Sequence, residues 1–243
     1  MRMVHPRRAT GPLALLALLG ALAGTVGLGL AGWLVGAAGG LVVNVLLARA
    51  VARRGDGRLG PADRITLTRS TLTCGVAALT ADSFLAPAAV RTLVALSVVA
   101  LLLDAVDGRV ARRTGTVSAL GARFDMEADA YLILVLGVYV SAAVAPWVLA
   151  IGLARYALLG AGRLLPWLRG STPPRYWAKV VAATQGAVLT CAAAGVLPGR
   201  WTEVALAVAL VLLAESFGRE IWTLWHARSA GRSLVVAVVP WRG

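Results

Sequence analysis

Apolar stretches recur along almost the whole chain, and charged residues gather in the short segments between them. No residue from Pro12 to Ala48 is charged. A bilayer core of about 30 Å is crossed by about 20 helical residues, so that run is too long for one helix. The stretch GTVGLGLAGW in its middle holds glycines that permit a turn, and it predicts a hairpin of two helices near 12–28 and 32–50. Further spans are expected near 64–81, 87–112, 117–143, 146–165, 175–196 and 201–226, about eight transmembrane helices in all. The opening MRMVHPRR before an apolar run has the outline of a signal peptide, but the run continues well past any cleavage point, which favours an uncleaved hairpin.

Composition agrees with the pattern. Of the 243 residues 59% are hydrophobic and 14% charged, whereas a soluble domain carries about 25% charged residues. The expected fold class is all-α integral membrane. The net charge of +13 raises the question of nucleic acid, but the basic residues form no continuous stripe. They instead report topology, because cytoplasmic loops carry an excess of Arg and Lys. With the N-terminus inside, the inside segments hold Arg2, Arg7 and Arg8; Arg49, Arg53, Arg54, Arg58, Arg64 and Arg69; Arg109, Arg112, Arg113 and Arg123; Arg163, Arg169, Arg175 and Lys179; and Arg219, Arg228, Arg232 and Arg242. Only Arg91, Arg155 and Arg200 fall elsewhere. Both termini are thus expected in the cytoplasm, with the chain multi-pass in the cell membrane. Cys74 and Cys191 both lie in apolar segments and support neither a disulfide framework nor a zinc site.

Acidic residues are scarce, eleven in all, yet Asp104, Asp107, Asp125, Glu127 and Asp129 crowd where one span ends at the cytoplasmic face and the next begins. Carboxylates at a membrane site are costly and point to function. Asp104 and Asp107 are three apart and Asp125 and Asp129 four apart, so each pair shares a helix face. If the two helices are antiparallel neighbours joined near Arg113 to Thr116, the four carboxylates converge. They would repel one another unless cations neutralised them, and hard oxygen ligands suit Mg²⁺ or Mn²⁺. Gly108, Ala111 and Gly121 are small and leave room for a ligand, and Arg112 is placed to meet a phosphate or hold a carboxylate. Glu127 is turned about 200° from Asp125 and is expected to be structural, paired with an arginine. Asp104 precedes Arg113 by roughly 13 Å of helix, which sets the cluster just below the cytoplasmic surface.

The run Asp104-x2-Asp107-Gly108-x2-Ala111-Arg112-x8-Gly121-x3-Asp125-x3-Asp129 resembles the complete signature of the CDP-alcohol phosphatidyltransferases. The resemblance extends over most of residues 60–226. GPADRITLTR is similar to a Pro-Asn-x-x-Thr-x-x-Arg stretch at Pro61, Thr66 and Arg69, with Asp63 where Asn is usual. Lys179 to Gln185 is similar to a Lys-x5-Gln stretch of the glycerophosphate-using branch, while Tyr156 stands where that branch usually has Glu. The resemblance implies a six-helix catalytic domain over about 56–228, preceded by an N-terminal hairpin over 1–55 and followed by a tail over 229–243. It implies transfer of a phosphatidyl group from CDP-diacylglycerol to a small alcohol, with release of CMP. Asp104, Asp107 and Asp125 would be metal ligands of a pair of ions, Asp129 a ligand and general base, and Gly108, Ala111, Arg112 and Gly121 the CDP pocket.

The acceptor is less legible. Arg155, Arg163, Lys179 and Arg219 lie in the cytoplasmic half of later spans, and Arg155 lies deep enough to need a partner. They favour an acceptor that carries a phosphate, such as glycerol 3-phosphate or inositol phosphate, although Glu215 and Glu220 are placed to pair with Arg219. The first two spans are read as an anchor or a homodimer contact. A membrane prenyltransferase of the UbiA type also uses Asp-rich motifs with Mg²⁺, but its motifs lie far apart in sequence. A transporter or proton relay would spread its acids over several spans and show an inverted repeat, and neither is detected.

Overall fold

The computed structural model describes residues 10–54, 61–114, 119–169 and 176–229; within them the side chains of 50–54, 61–64, 107–114 and 119–124, among a few others, lie outside the described residues. The described residues form eight α-helices and no strand: α1 (Thr10–Val26), α2 (Leu30–Arg54), α3 (Pro61–Asp82), α4 (Val90–Thr114), α5 (Ala119–Ala143), α6 (Leu149–Leu164), α7 (Tyr176–Ala193) and α8 (Gly199–Ser229). Short 3-10 turns at Pro146–Val148 and Pro166–Arg169 flank α6.

Each predicted span is a helix, with its ends moved for local reasons. The hairpin turns where expected: Gly27 at φ 74 ends α1 in the left-handed region that favours glycine. Gly195 at φ 62 does the same after α7, which therefore stops at Ala193, short of the expected boundary. α2 continues to Arg54, past the last apolar residues, because Ala, Leu and Arg are strong helix formers with or without a membrane. α8 has 31 residues; at 1.5 Å per residue it is about 46 Å long, more than the hydrocarbon core needs.

Among the described residues two helical stretches, Asp125–Ala143 and Pro146–Leu164, are long and apolar enough to cross a bilayer by composition alone, and Gly11–Val26 and Leu30–Leu46 are shorter apolar helices. Where about eight spans are expected on hydropathy, the described residues are all-helical, and two of their helical stretches pass as spans by length and apolarity. α3 shows why. Thr66, Arg69, Ser70, Thr71 and Thr73 lower its hydropathy, yet all are buried inside the bundle. The hydroxyls of Ser70, Thr71 and Thr73 donate to main-chain oxygens one turn back, those of Thr66, Leu67 and Arg69, at 2.8, 2.9 and 3.0 Å, so none of these three is stranded in an apolar setting. Large apolar side chains meanwhile face outward, Leu30, Leu34 and Val211 among them. Such faces, with the apolar helices, point to a membrane protein.

α3 lies at the centre, packed against α1, α2, α4 and α5, while α7 joins α4 and α5 to α8. Small residues allow these approaches, as membrane helices require. A Cβ at Gly152 of α6 would come within 2.9 Å of the Leu134 Cα of α5, and one at Gly36 of α2 within 2.8 Å of Leu19 and 3.1 Å of the Ala78 side chain of α3. The hairpin is also latched to α3 by a charge: the Asp82 carboxylate accepts the N–H groups of Gly29 (2.6 Å) and Gly32 (3.1 Å) at the N-terminus of α2. A carboxylate there satisfies orphan donors and meets the positive end of the helix dipole. α1 and α2 thus brace the helix that carries the centre of the candidate site.

Candidate active site

The α4 and α5 aspartates come together around a residue of neither helix. Arg69 on α3 is 1% exposed. Its guanidinium pairs through Nη1 with Asp104 of α4, and through Nη2 with Asp125 Oδ1 at 2.6 Å and Asp129 Oδ1 at 3.1 Å, both of α5. Nη2 also donates to the main-chain oxygen of Asp125 at 3.1 Å. The three carboxylates are half-buried, with about a third of each side chain still accessible. One oxygen from each lies within 4.8 Å of the others.

The route to this convergence differs from the one the spacing implied. Among the described residues the principal neighbour shared by α4 and α5 is α3, and those two helices are not a close pair along their length. Each packs on α3, and Arg69 lies where their acidic faces meet. The two-residue and one-turn spacings are as expected: Asp125 and Asp129 share the face toward α3, while Glu127 points the other way and accepts a hydrogen bond from Arg155 of α6 at 2.7 Å. The side chains of Asp107, Gly108, Ala111, Arg112 and Gly121 lie outside the described residues; their backbones belong to α4 and α5.

A guanidinium is charged at any pH a protein meets and presents five donors. Buried among apolar helices it would be costly alone, and three carboxylates would repel one another without it. The donor set is oxygen only, the hard kind that suits Mg²⁺ or Mn²⁺, and Asp104, Asp125 and Asp129 could hold such an ion. Partial exposure of all three keeps a path for ligands open.

The four candidate acceptor residues do not gather into one described cluster. Arg155 is held by Glu127, and Arg219 by Glu215 one turn away on α8, as the Glu215 reading anticipated. Glu215 also accepts from the Trp177 indole at 2.9 Å, tying α7 to α8. Arg163 and Lys179 are exposed. Arg69 is the site residue that sequence reasoning passed over, counting it with the cytoplasmic charges and with a short resemblance. The signal was available: an arginine inside a helix, between Thr66 and Ser70, needs a buried partner as much as Arg155 does.

The family model described as CDP-alcohol phosphatidyltransferase matches residues 59–215. No curated protein and no solved structure matched the chain. The matched segment runs from just before α3 into α8, contains Arg69 and every candidate aspartate, and leaves α1 and α2 outside. It spans well over half of the 243 residues. With the acidic cluster in place on α4 and α5, the chain belongs to the CDP-alcohol phosphatidyltransferase family, enzymes that take CDP-alcohol donors and alcohol acceptors.

Proposed function

We propose that this protein transfers the phosphatidyl group of CDP-diacylglycerol to a small alcohol and releases CMP. The observation that carries the reading is the convergence of Asp104, Asp125 and Asp129 within 4.8 Å in a chain of this family. In the reaction the acceptor hydroxyl oxygen forms a bond to the phosphatidyl phosphorus, the bond from that phosphorus to the bridging oxygen of the diphosphate breaks, and CMP departs with the electron pair. Asp104, Asp107, Asp125 and Asp129 would hold two divalent ions, Mg²⁺ or Mn²⁺, whose chemistry is to neutralise the diphosphate and stabilise the leaving oxygen. Asp129 takes the proton of the acceptor hydroxyl. As general base it is served by its place on α5, one turn from Asp125 and with part of its carboxylate accessible. Gly108, Ala111, Arg112 and Gly121 line the CDP pocket.

The acceptor carries a phosphate, as in glycerol 3-phosphate or inositol phosphate, and Arg155, Arg163, Lys179 and Arg219 contact it. Support comes from Arg155, whose partner Glu127 is two residues from Asp125 on α5. The catalytic domain is 56–228, a six-helix unit with α1 and α2 as an added hairpin of 1–55 and a tail of 229–243. The eight helices cross the membrane with both termini and the aspartates on the cytoplasmic side, and the hairpin is the surface on which two copies would pair. The test is release of CMP from CDP-diacylglycerol by purified protein, with Mg²⁺ or Mn²⁺ and a panel of glycerol 3-phosphate, inositol phosphate, inositol and serine. The expected result is release with a phosphorylated acceptor, lost on chelation with EDTA and restored by either ion. No release with any acceptor overturns the reading.

A further inference from the structure

Arg69 is a fixed positive charge seated on the same carboxylates that converge for a cation. Its Nη1 and Nη2 hold oxygens of Asp104, Asp125 and Asp129, the three residues that bring an oxygen each to within 4.8 Å. We propose that Arg69 is the built-in counter-cation of this cluster, and that it gives up its carboxylate contacts when the cluster takes a divalent ion. This rests on the metal-binding reading above.

Three features support exchange over simple scaffolding. A guanidinium cannot shed its charge, so it and a divalent ion on the same carboxylates repel at short range, and the enclosure of Arg69 limits how far water screens its charge. Mg²⁺ takes oxygen ligands at about 2.0–2.1 Å, closer than the 2.6 and 3.1 Å of the Nη2 contacts. Finally, Arg69 has somewhere to stay. The main-chain oxygen of Asp125, 3.1 Å from Nη2, keeps accepting from the guanidinium after the side chain of Asp125 turns away. In this arrangement Arg69 is a positioning residue. It holds α4 and α5 on α3 while no ion is bound, and it sets how strongly an ion must bind to replace it.

The experiment measures Mn²⁺ binding to the full chain in detergent or nanodiscs, from the electron paramagnetic resonance signal of free Mn²⁺. Arg69→Gln removes the competing charge and is expected to tighten Mn²⁺ binding by about tenfold or more, with metal-free melting lowered and recovered by Mn²⁺. Arg69→Lys keeps the charge and is expected to stay within a few-fold of the unmodified protein. Equal or weaker Mn²⁺ binding by Arg69→Gln overturns the proposal, because a scaffold residue would loosen the site when removed. Absence of Mn²⁺ binding by the unmodified protein overturns the metal reading itself, and so separates the two failures. Should Arg69→Gln not fold, ¹⁵N-arginine labelling of the unmodified protein decides. The guanidinium resonance that disappears in Arg69→Lys is expected to shift when Mg²⁺ is added, and a resonance that stays put overturns the exchange.

Discussion

Two arginine centres flank α5, and they differ in what surrounds them. On one side Arg69 of α3 is fully enclosed and shared by three carboxylates from two other helices. On the other, Arg155 of α6 holds the single carboxylate of Glu127, and both side chains keep a quarter to nearly half of their surface accessible. Both involve Arg and acid at hydrogen-bonding distance, yet only the first gathers an excess of negative charge. A one-to-one pair is neutral and has no call for a further cation. Three acids on one guanidinium leave net negative charge, and that excess makes the α3 side of α5 the candidate for metal and chemistry. The Glu127 side then reads as a brace between α5 and α6, adjacent to the site.

The sharpest way to test this contrast is to remove carboxylates from the acidic cluster first and then from the Glu127 side. Asp129→Asn is expected to lower turnover about 10²–10⁴-fold, the contribution of a positioned general base, while leaving substantial metal binding. Asp107→Asn is expected to weaken both, since its assigned role is ligation alone. Both are read from CMP release and Mn²⁺ titration, and unchanged turnover in Asp129→Asn would remove its role as base. Next in size, Arg69→Gln is expected to destabilise the ion-free protein by about 3–5 kcal/mol, as loss of one member of a buried charge cluster does. The measurement is the melting temperature in detergent with EDTA.

Smaller effects are expected on the other side of α5. Glu127→Gln leaves Arg155 with a neutral partner at a half-accessible site, so the expected stability loss is about 1 kcal/mol or less. Turnover should fall no more than a few-fold, with any change appearing in the KM of a phosphorylated acceptor. A loss as large as that of Asp129→Asn would erase the distinction between the two faces. Smallest of all, Arg219→Ala at the exposed pair with Glu215 should cost about 0–1 kcal/mol in melting experiments, because Arg219 keeps most of its surface in solvent.

Much of the fold was legible because it is local. Runs of apolar residues punctuated by glycine and arginine set the approximate bounds of the described helices, and Gly27 turns the hairpin inside the stretch that the glycines of GTVGLGLAGW marked. Intervals of three and four residues put Asp125 and Asp129 on one face and Glu127 on another, and the ion pairs follow that division. Less legible was apolarity in the span-by-span sense. α3 reads as too polar for a membrane helix, yet the hydroxyls of Ser70, Thr71 and Thr73 are satisfied within the helix and its arginine within the bundle, which no count along the sequence reveals.

The sequence by itself determined the helices, the scarcity and grouping of the acids, and the faces on which the α5 acids lie, because each depends on residues within one or two turns of one another. Only the tertiary structure decided that α3 stands between the two acidic helices and that Arg69 is the cation at their centre. Arg69 is 35 residues from Asp104 and 56 from Asp125. Contacts at that separation are set by how the bundle packs: by the small residues that let helices approach, by the Asp82 latch that holds the hairpin to α3, and by the requirement that a buried guanidinium find carboxylates.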